Sequence, residues 1–205
     1  MARPRTDIRP RIVHAARKLF LADGVDGASL REVARQAKTN IGMVFYYFPQ
    51  KDQLFLAVVE EIYATLLLDL ERELSESSSP REKLERAFRR LGRASAEELD
   101  VIRLVVREAL LSSERFEKIL ARVRQGHLPM ILQTLAEANE AGEIDRTLPL
   151  PMLLACTMGI GVLPQLMKRA VGDEPPFSAL PDADALAALS VQILFRAIGS
   201  QNTTA

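Results

Sequence analysis

The chain of 205 residues contains no tryptophan, one cysteine and two histidines. With Cys156 alone there is no intrachain disulfide, no CxxC pair and no cysteine-based zinc site, and a reducing, cytoplasmic setting is expected. His14 and His127 are too few for ordinary metal ligation or nucleophilic chemistry. G-x-G-x-x-G, Walker, H-E-x-x-H and G-x-S-x-G motifs are missing, and the fragment GIG at 159–161 is too short to hold a nucleotide. No run alternates with the period of a strand for long enough to build a sheet, and there is no internal repeat. These absences predict an all-α protein that is not an enzyme and uses no cofactor or metal.

Long uncharged runs are scarce too, with one exception. Thr147 to Met167 is long enough to cross a bilayer, but Pro149, Pro151, Pro164, Gly159 and Gly161 interrupt it and no second span exists to pack against. A helix buried at a subunit interface is the preferred reading, with no membrane partner. The start MARPRTDIRPR is basic but lacks a following apolar region, so no signal peptide is expected.

The net charge of zero hides a split. Residues 1–52 hold ten basic and five acidic side chains, a net of +5, so the remainder carries −5. A basic head on an acidic body suggests a polyanion-binding segment joined to something with another task. The aromatic residues concentrate in the same head, where Phe45, Tyr46, Tyr47 and Phe48 are consecutive. A helix cannot point all of them inward, so some must face out.

Local signals organise this head into three short helices. Ile12, Ala15, Ala16, Leu19 and Phe20 recur at helical spacing until Asp23-Gly24 stops them. Ser29 to Glu32, SLRE, reads as a capping box in which each side chain takes the other's backbone amide, and Leu30, Val33, Ala34 and Ala37 give the second helix its buried face. Lys38-Thr39 makes a tight connection, Asn40 caps a third helix, and Phe48-Pro49 ends it, because the residue before proline is pushed out of the α region. Two short capped helices across a tight turn, packed on a third, form a helix-turn-helix. Helices are then predicted over 51–74, from Pro80 (N-capped by Ser79, after the breaker SESSSP), and near 98–111, 114–140, 151–171 and 183–199.

From residue 12 to 54 the pattern closely resembles the TetR family of transcriptional regulators, through Ala15-Ala16, Leu19-Phe20, Gly24, Ser29, Val33-Ala34, Gly42, Tyr47-Phe48 and Lys51. The resemblance implies a helix-turn-helix DNA-binding domain over 1–50 and a larger helical ligand-binding and dimerisation domain over 51–205. It also implies that Thr39, Asn40, Ile41, Met43 and Tyr46 face the major groove, that Ser29, Tyr47 and Lys51 add further DNA contacts, and that Val44 and Phe48 turn inward. Arg3, Arg5 and Arg9 are candidates for an arm that adds positive charge. Two positions depart from the pattern. Lys38 stands where the family usually has glycine, at a strain of roughly 1 kcal/mol if φ is positive, and Phe45 stands where tyrosine is more common.

One recognition helix reads few base pairs, so a symmetric dimer on a palindromic operator of double-stranded DNA is expected. Met152, Ile160 and Leu163 in one apolar helix, and Leu186, Leu189, Ile193 and Leu194 in the last, are the candidate homodimer contacts. Phe88, Arg103, Arg107, Phe116, His127, Met130, Cys156 and Met158 offer a flexible apolar lining with a few polar groups for a small, mostly hydrophobic effector. For each of these the alternative is a core or surface role. In the family such a ligand releases a repressor from DNA. The competing readings are a ligand-independent DNA-binding regulator and a helical protein-interaction module.

Overall fold

The structure, a computed structural model, describes residues 8–75, 78–111 and 113–199. Arg3 and Arg5 of the expected arm, and Glu76 and Ser77 of the breaker, lie outside the described residues. Among those described there are helices and no strand, as an all-α fold requires.

The chain divides into two compact units. The first takes residues 1–66 and 95–123. It contains α1 (Ile8–Gly27), α2 (Leu30–Gln36), α3 (Ile41–Tyr47), the first part of α4 (Lys51–Ser75), α6 (Ala96–Leu111) and most of α7 (Ser113–Gln125). Its core gathers Ile12, Ala16, Phe20, Val33, Val44, Leu54, Phe55 and Leu104, all essentially inaccessible to water. Gly24 takes φ +81, so α1 breaks at the glycine that marks its end in the sequence and is followed by one further turn.

Two carbonyls at that break are satisfied from a distance: the Arg107 guanidinium of α6 donates to the Phe20 and Leu21 oxygens. Arg17, buried on α1, donates to Glu97 at 2.9 Å. Both contacts lie within this unit and bind α6 to α1.

The second unit takes residues 67–94 and 124–205. Its described elements are the end of α4, α5 (Pro80–Gly92), α8 (Leu128–Glu140), α9 (Leu150–Cys156), a π-helical stretch (Thr157–Val162), α10 (Leu163–Val171), a 3₁₀ turn (Phe177–Ala179) and α11 (Ala183–Ile198). Here α11 packs most extensively on α5, and α5 also packs on α8 and α10. The start of α5, expected at Pro80 after Ser79, forms a full capping box between Ser79 and Glu82.

Two sequence expectations need correction. The helix expected over 114–140 is two helices, broken at Gly126-His127, with Pro129 in the first turn of α8 where its missing amide costs nothing. The run expected as one α-helix over 151–171 is helical throughout but widens into π turns at its middle. Its buried positions, Leu153, Thr157, Gly161 and Gln165, recur every four residues. A pure α-helix would rotate such a line by about 120° over its length. The wider π turns absorb that rotation and keep one face inward.

Candidate nucleic-acid interface

The helix-turn-helix is closed by backbone hydrogen bonds at its turn. Thr39 N donates to Ala34 O at 3.0 Å and Lys38 N to Arg35 O at 3.1 Å, the paired bonds of a Schellman ending. Lys38 occupies the left-handed position with φ +52, as its place in the pattern implied. The same motif ends α8, with Gly142 at φ +74 in the equivalent place.

Asn40 then caps α3, its Oδ1 accepting from Met43 N at 2.9 Å. Gly42 leaves room for that cap, since a Cβ there would stand 3.2 Å from the Asn40 oxygen. Phe48, with ψ 83, leaves the helix ahead of Pro49. The capping box of α2 is only half formed. Ser29 Oγ accepts from Glu32 N at 3.4 Å, but the Glu32 carboxylate turns along the helix to Arg35 Nε at 2.7 Å and Gln36 Nε2 at 3.0 Å. Those donors hold its pKa down at about 2.

The aromatic run divides as a helix must. Val44 and Phe48 are buried, whereas Phe45 is 49% and Tyr46 75% exposed. Asn40 is exposed; Thr39, Ile41, Met43 and Tyr47 are half-buried, and Ile41 and Tyr47 pack on the core. Tyr46 and Tyr47 meet edge to face with centroids 5.2 Å apart. Ser29 is exposed, and Lys51, half-buried, donates from Nζ to the Asp26 carbonyl at 2.9 Å. Thr39, Asn40, Ile41, Met43, Tyr46, Tyr47, Ser29 and Lys51 thus all retain some solvent access. Arg9, on the first turn of α1, lies over the Phe48 ring at 5.3 Å.

Sequence reasoning missed a groove of about 430 Å³ between α1, the end of α2 and α4, lined by Arg11, His14, Lys18 and Lys38 with Glu61. It also missed Arg31, exposed in the first turn of α2. Neither belongs to a local motif, but both add cations to this unit.

The residues expected to line a ligand pocket are divided between the two units. In the first, Arg103 is exposed with Asp100 3.8 Å away, Phe116 is exposed on α7, and Arg107 is engaged at the end of α1. In the second, Phe88 is buried with Gly161 directly against its ring; a Cβ on Gly161 would come within 1.9 Å of that ring. Met130, His127 and Cys156 are half-buried and Met158 is exposed. Among the described residues no group of three His, Cys, Asp or Glu is placed to hold a metal.

The candidate dimer residues separate as well. Met152, Leu163, Leu189 and Ile193 are exposed and Ile160 is half-buried. Leu186 and Leu194 are a correction: both are buried in their own unit, on the inner face of α11 with Ser190, and a partner could not reach them.

Comparison with known proteins agrees with this architecture. Residues 12–58 match the family described as bacterial regulatory proteins, tetR family. The chain is 40% identical over 57 residues to the HTH-type transcriptional repressor NicS of Pseudomonas putida, covering 28% of this chain and 27% of that one. It is 36% identical over 95 residues to the HTH-type transcriptional repressor Rv3405c of Mycobacterium tuberculosis, covering 46% and 48%. The chain thus spans about a quarter to a half of the length of these relatives. Along nearly its whole length it shares the fold of the transcriptional regulator FadR from Bacillus subtilis, crystallised with stearoyl-CoA: TM-score 0.71, 20% identity, 92% of this chain and 98% of that one. The likeness to the tetR family model is thus carried by the head at residues 12–58, and the helices that follow it share the fold of such regulators.

Proposed function

We propose that the chain is a cytoplasmic, dimeric transcriptional repressor, held on a palindromic operator by a pair of α3 helices and released by a small, mostly hydrophobic ligand. The observation that carries this reading is α3 itself. It is anchored by Val44 and Phe48 and holds Asn40 and Tyr46 out to solvent, with Met43 half-exposed between them, in a unit where Arg9, Lys18, Arg31, Arg35 and Lys38 are exposed. Thr39, Asn40, Ile41, Met43 and Tyr46 would meet base edges, Ile41 and Met43 through thymine methyls, while Ser29, Tyr47 and Lys51 would hold the phosphate backbone. The head, 1–50, supplies this contact together with Lys51 at the start of the body; the body, 51–205, supplies pairing and ligand response.

Pairing is supported by an inverted helix. Its inner line over 153–165 includes Thr157, Gly161 and Gln165, while Leu150, Met152, Met158 and Leu163 are exposed; Leu189 and Ile193 of α11 are further exposed apolar groups. A helix that exposes larger apolar groups than it buries calls for a cover, and a second copy provides one. The stearoyl-CoA of the FadR structure and the repressors among the relatives favour an apolar-tailed ligand and repression. Phe88, His127, Met130, Cys156 and Met158 remain the lining candidates.

Selection of duplexes from a random pool tests the reading. A recovered palindrome with half-sites about one helical turn of DNA apart, or a near multiple, is the expected result. Failure to enrich any sequence overturns it.

A further inference from the structure

The edge that offers Lys51 to a phosphate also carries two carboxylates. Asp26, in the turn that closes α1, is 84% exposed at its side chain, and Asp52 follows Lys51 in the first turn of α4. Lys51 Nζ rests on the Asp26 carbonyl at 2.9 Å, so the ammonium and both acids share one small region. Uncompensated, two negative charges there would cancel the attraction of Lys51 for a phosphodiester.

A guanidinium from α7 reaches into this region. Arg115, itself 9% exposed, donates from Nε to Asp52 at 3.0 Å and through both terminal nitrogens to the two oxygens of Asp26, one of them at 3.1 Å. It also donates to buried Glu108 at 2.7 Å. Lys118 takes the other oxygen of Asp52 at 2.9 Å and Glu114 at 2.8 Å, which completes the cluster. Both aspartates are held below the ordinary carboxylate range, Asp26 chiefly by its hydrogen bonds to Arg115 and Asp52 by those to Lys118 and Arg115 against the opposing effect of burial. They therefore stay charged at neutral pH, and their charge has to be answered by a cation.

We propose that Arg115 is a positioning residue for DNA binding: it neutralises Asp26 and Asp52 so that Lys51 can meet the phosphate backbone. The proposal rests on the DNA-binding reading of the head. It gives α7, far along the chain from the helix-turn-helix, an electrostatic part in that interface.

Replacing Arg115 alone would leave Glu108 facing a lost partner in the interior and risk unfolding. The test therefore starts from Glu108→Gln with Arg115→Gln, which removes one buried charge of each sign. Binding of the full chain to a mixed-sequence duplex is followed by fluorescence anisotropy across a salt series, with a thermal melt for each variant. The double variant is expected to bind about tenfold more weakly at low salt. Adding Asp26→Asn and Asp52→Asn is expected to bring affinity back to within about twofold of the wild type, the differences shrinking as salt rises.

Undiminished binding by the double variant, or a loss that the two asparagines fail to restore, overturns the proposal and leaves Arg115 a brace. Should the double variant melt below the assay temperature, Asp26→Asn with Arg115 intact is expected to bind more tightly than the wild type, and unchanged affinity overturns the proposal. If the wild type itself binds no duplex, it is the DNA-binding reading that fails; if only the variants behave contrary to expectation, that reading stands.

Discussion

Lys38 adopts a backbone conformation that a side chain disfavours. The Schellman endings of α2 and α8 make the same two hydrogen bonds, yet one has lysine and the other Gly142 in the left-handed position. A Cβ there costs about 1 kcal/mol or slightly more, partly offset because glycine has more freedom to lose on folding. Lys38→Gly is therefore expected to stabilise the protein by about 0.5 kcal/mol, read as a higher denaturant midpoint at constant slope. This residue was legible in the sequence because the turn is local: Ser29, Asn40, Phe48-Pro49 and the turn position act on their own neighbours. Glu32 and Arg107 were not. Each could serve several partners, and the choice depends on groups brought in by folding: Arg35 competes with the Ser29 amide for Glu32, and the open end of α1 claims Arg107.

At the scale of elements, most helix starts and stops were readable, but the break between α7 and α8 and the register of the apolar helix were not. Its sequence is uncharged up to Met167, so periodicity could not separate inner from outer face. The separation comes from Gly161, whose missing side chain lets the Phe88 ring lie against the π turns. Gly161→Ala is expected to destabilise the protein by about 1 to 3 kcal/mol, since the ring or the helix must move to admit a methyl. Gly159, with nothing within 4 Å of a Cβ, is the control: Gly159→Ala should have no comparable effect. A thermal melt of the two variants side by side checks both. The division of α7 from α8 was missed because Pro129 reads equally as a kink within one helix or as the start of another, and Gly126 decides between them only once the chain is packed.

For the whole molecule, the outward apolar groups of the second unit are the surface on which the proposed assembly depends. Leu189 and Ile193, one turn apart on the outer face of α11, bear directly on the proposed dimer. Changing both to glutamate is expected to give a monomer mass by light scattering at micromolar concentration and weaker operator binding, with the fold retained because neither side chain belongs to the core. A wild-type chain that scatters as a monomer would count against the dimer. The sequence reading merged two faces of α11, since Leu186 and Leu194 lie close enough around the helix to Leu189 and Ile193 to look like one stripe.

The head matched by its relatives is shorter than the body of protein that supports it. The carbonyls of Phe20 and Leu21 are answered by Arg107, Arg17 by Glu97, and Asp26 by Arg115, all from a stretch of chain that follows at residues 95–123. A ribosome that has just released the helix-turn-helix has not yet made these partners. At roughly 5 to 20 residues per second the wait lasts several seconds. Through that interval the nascent head lacks the Arg107 donor at Phe20 and Leu21, the acid that pairs with Arg17 and the clasp on Asp26. Its finished form is thus a product of late synthesis, and a fragment cut at the end of the family match would keep those deficits permanently.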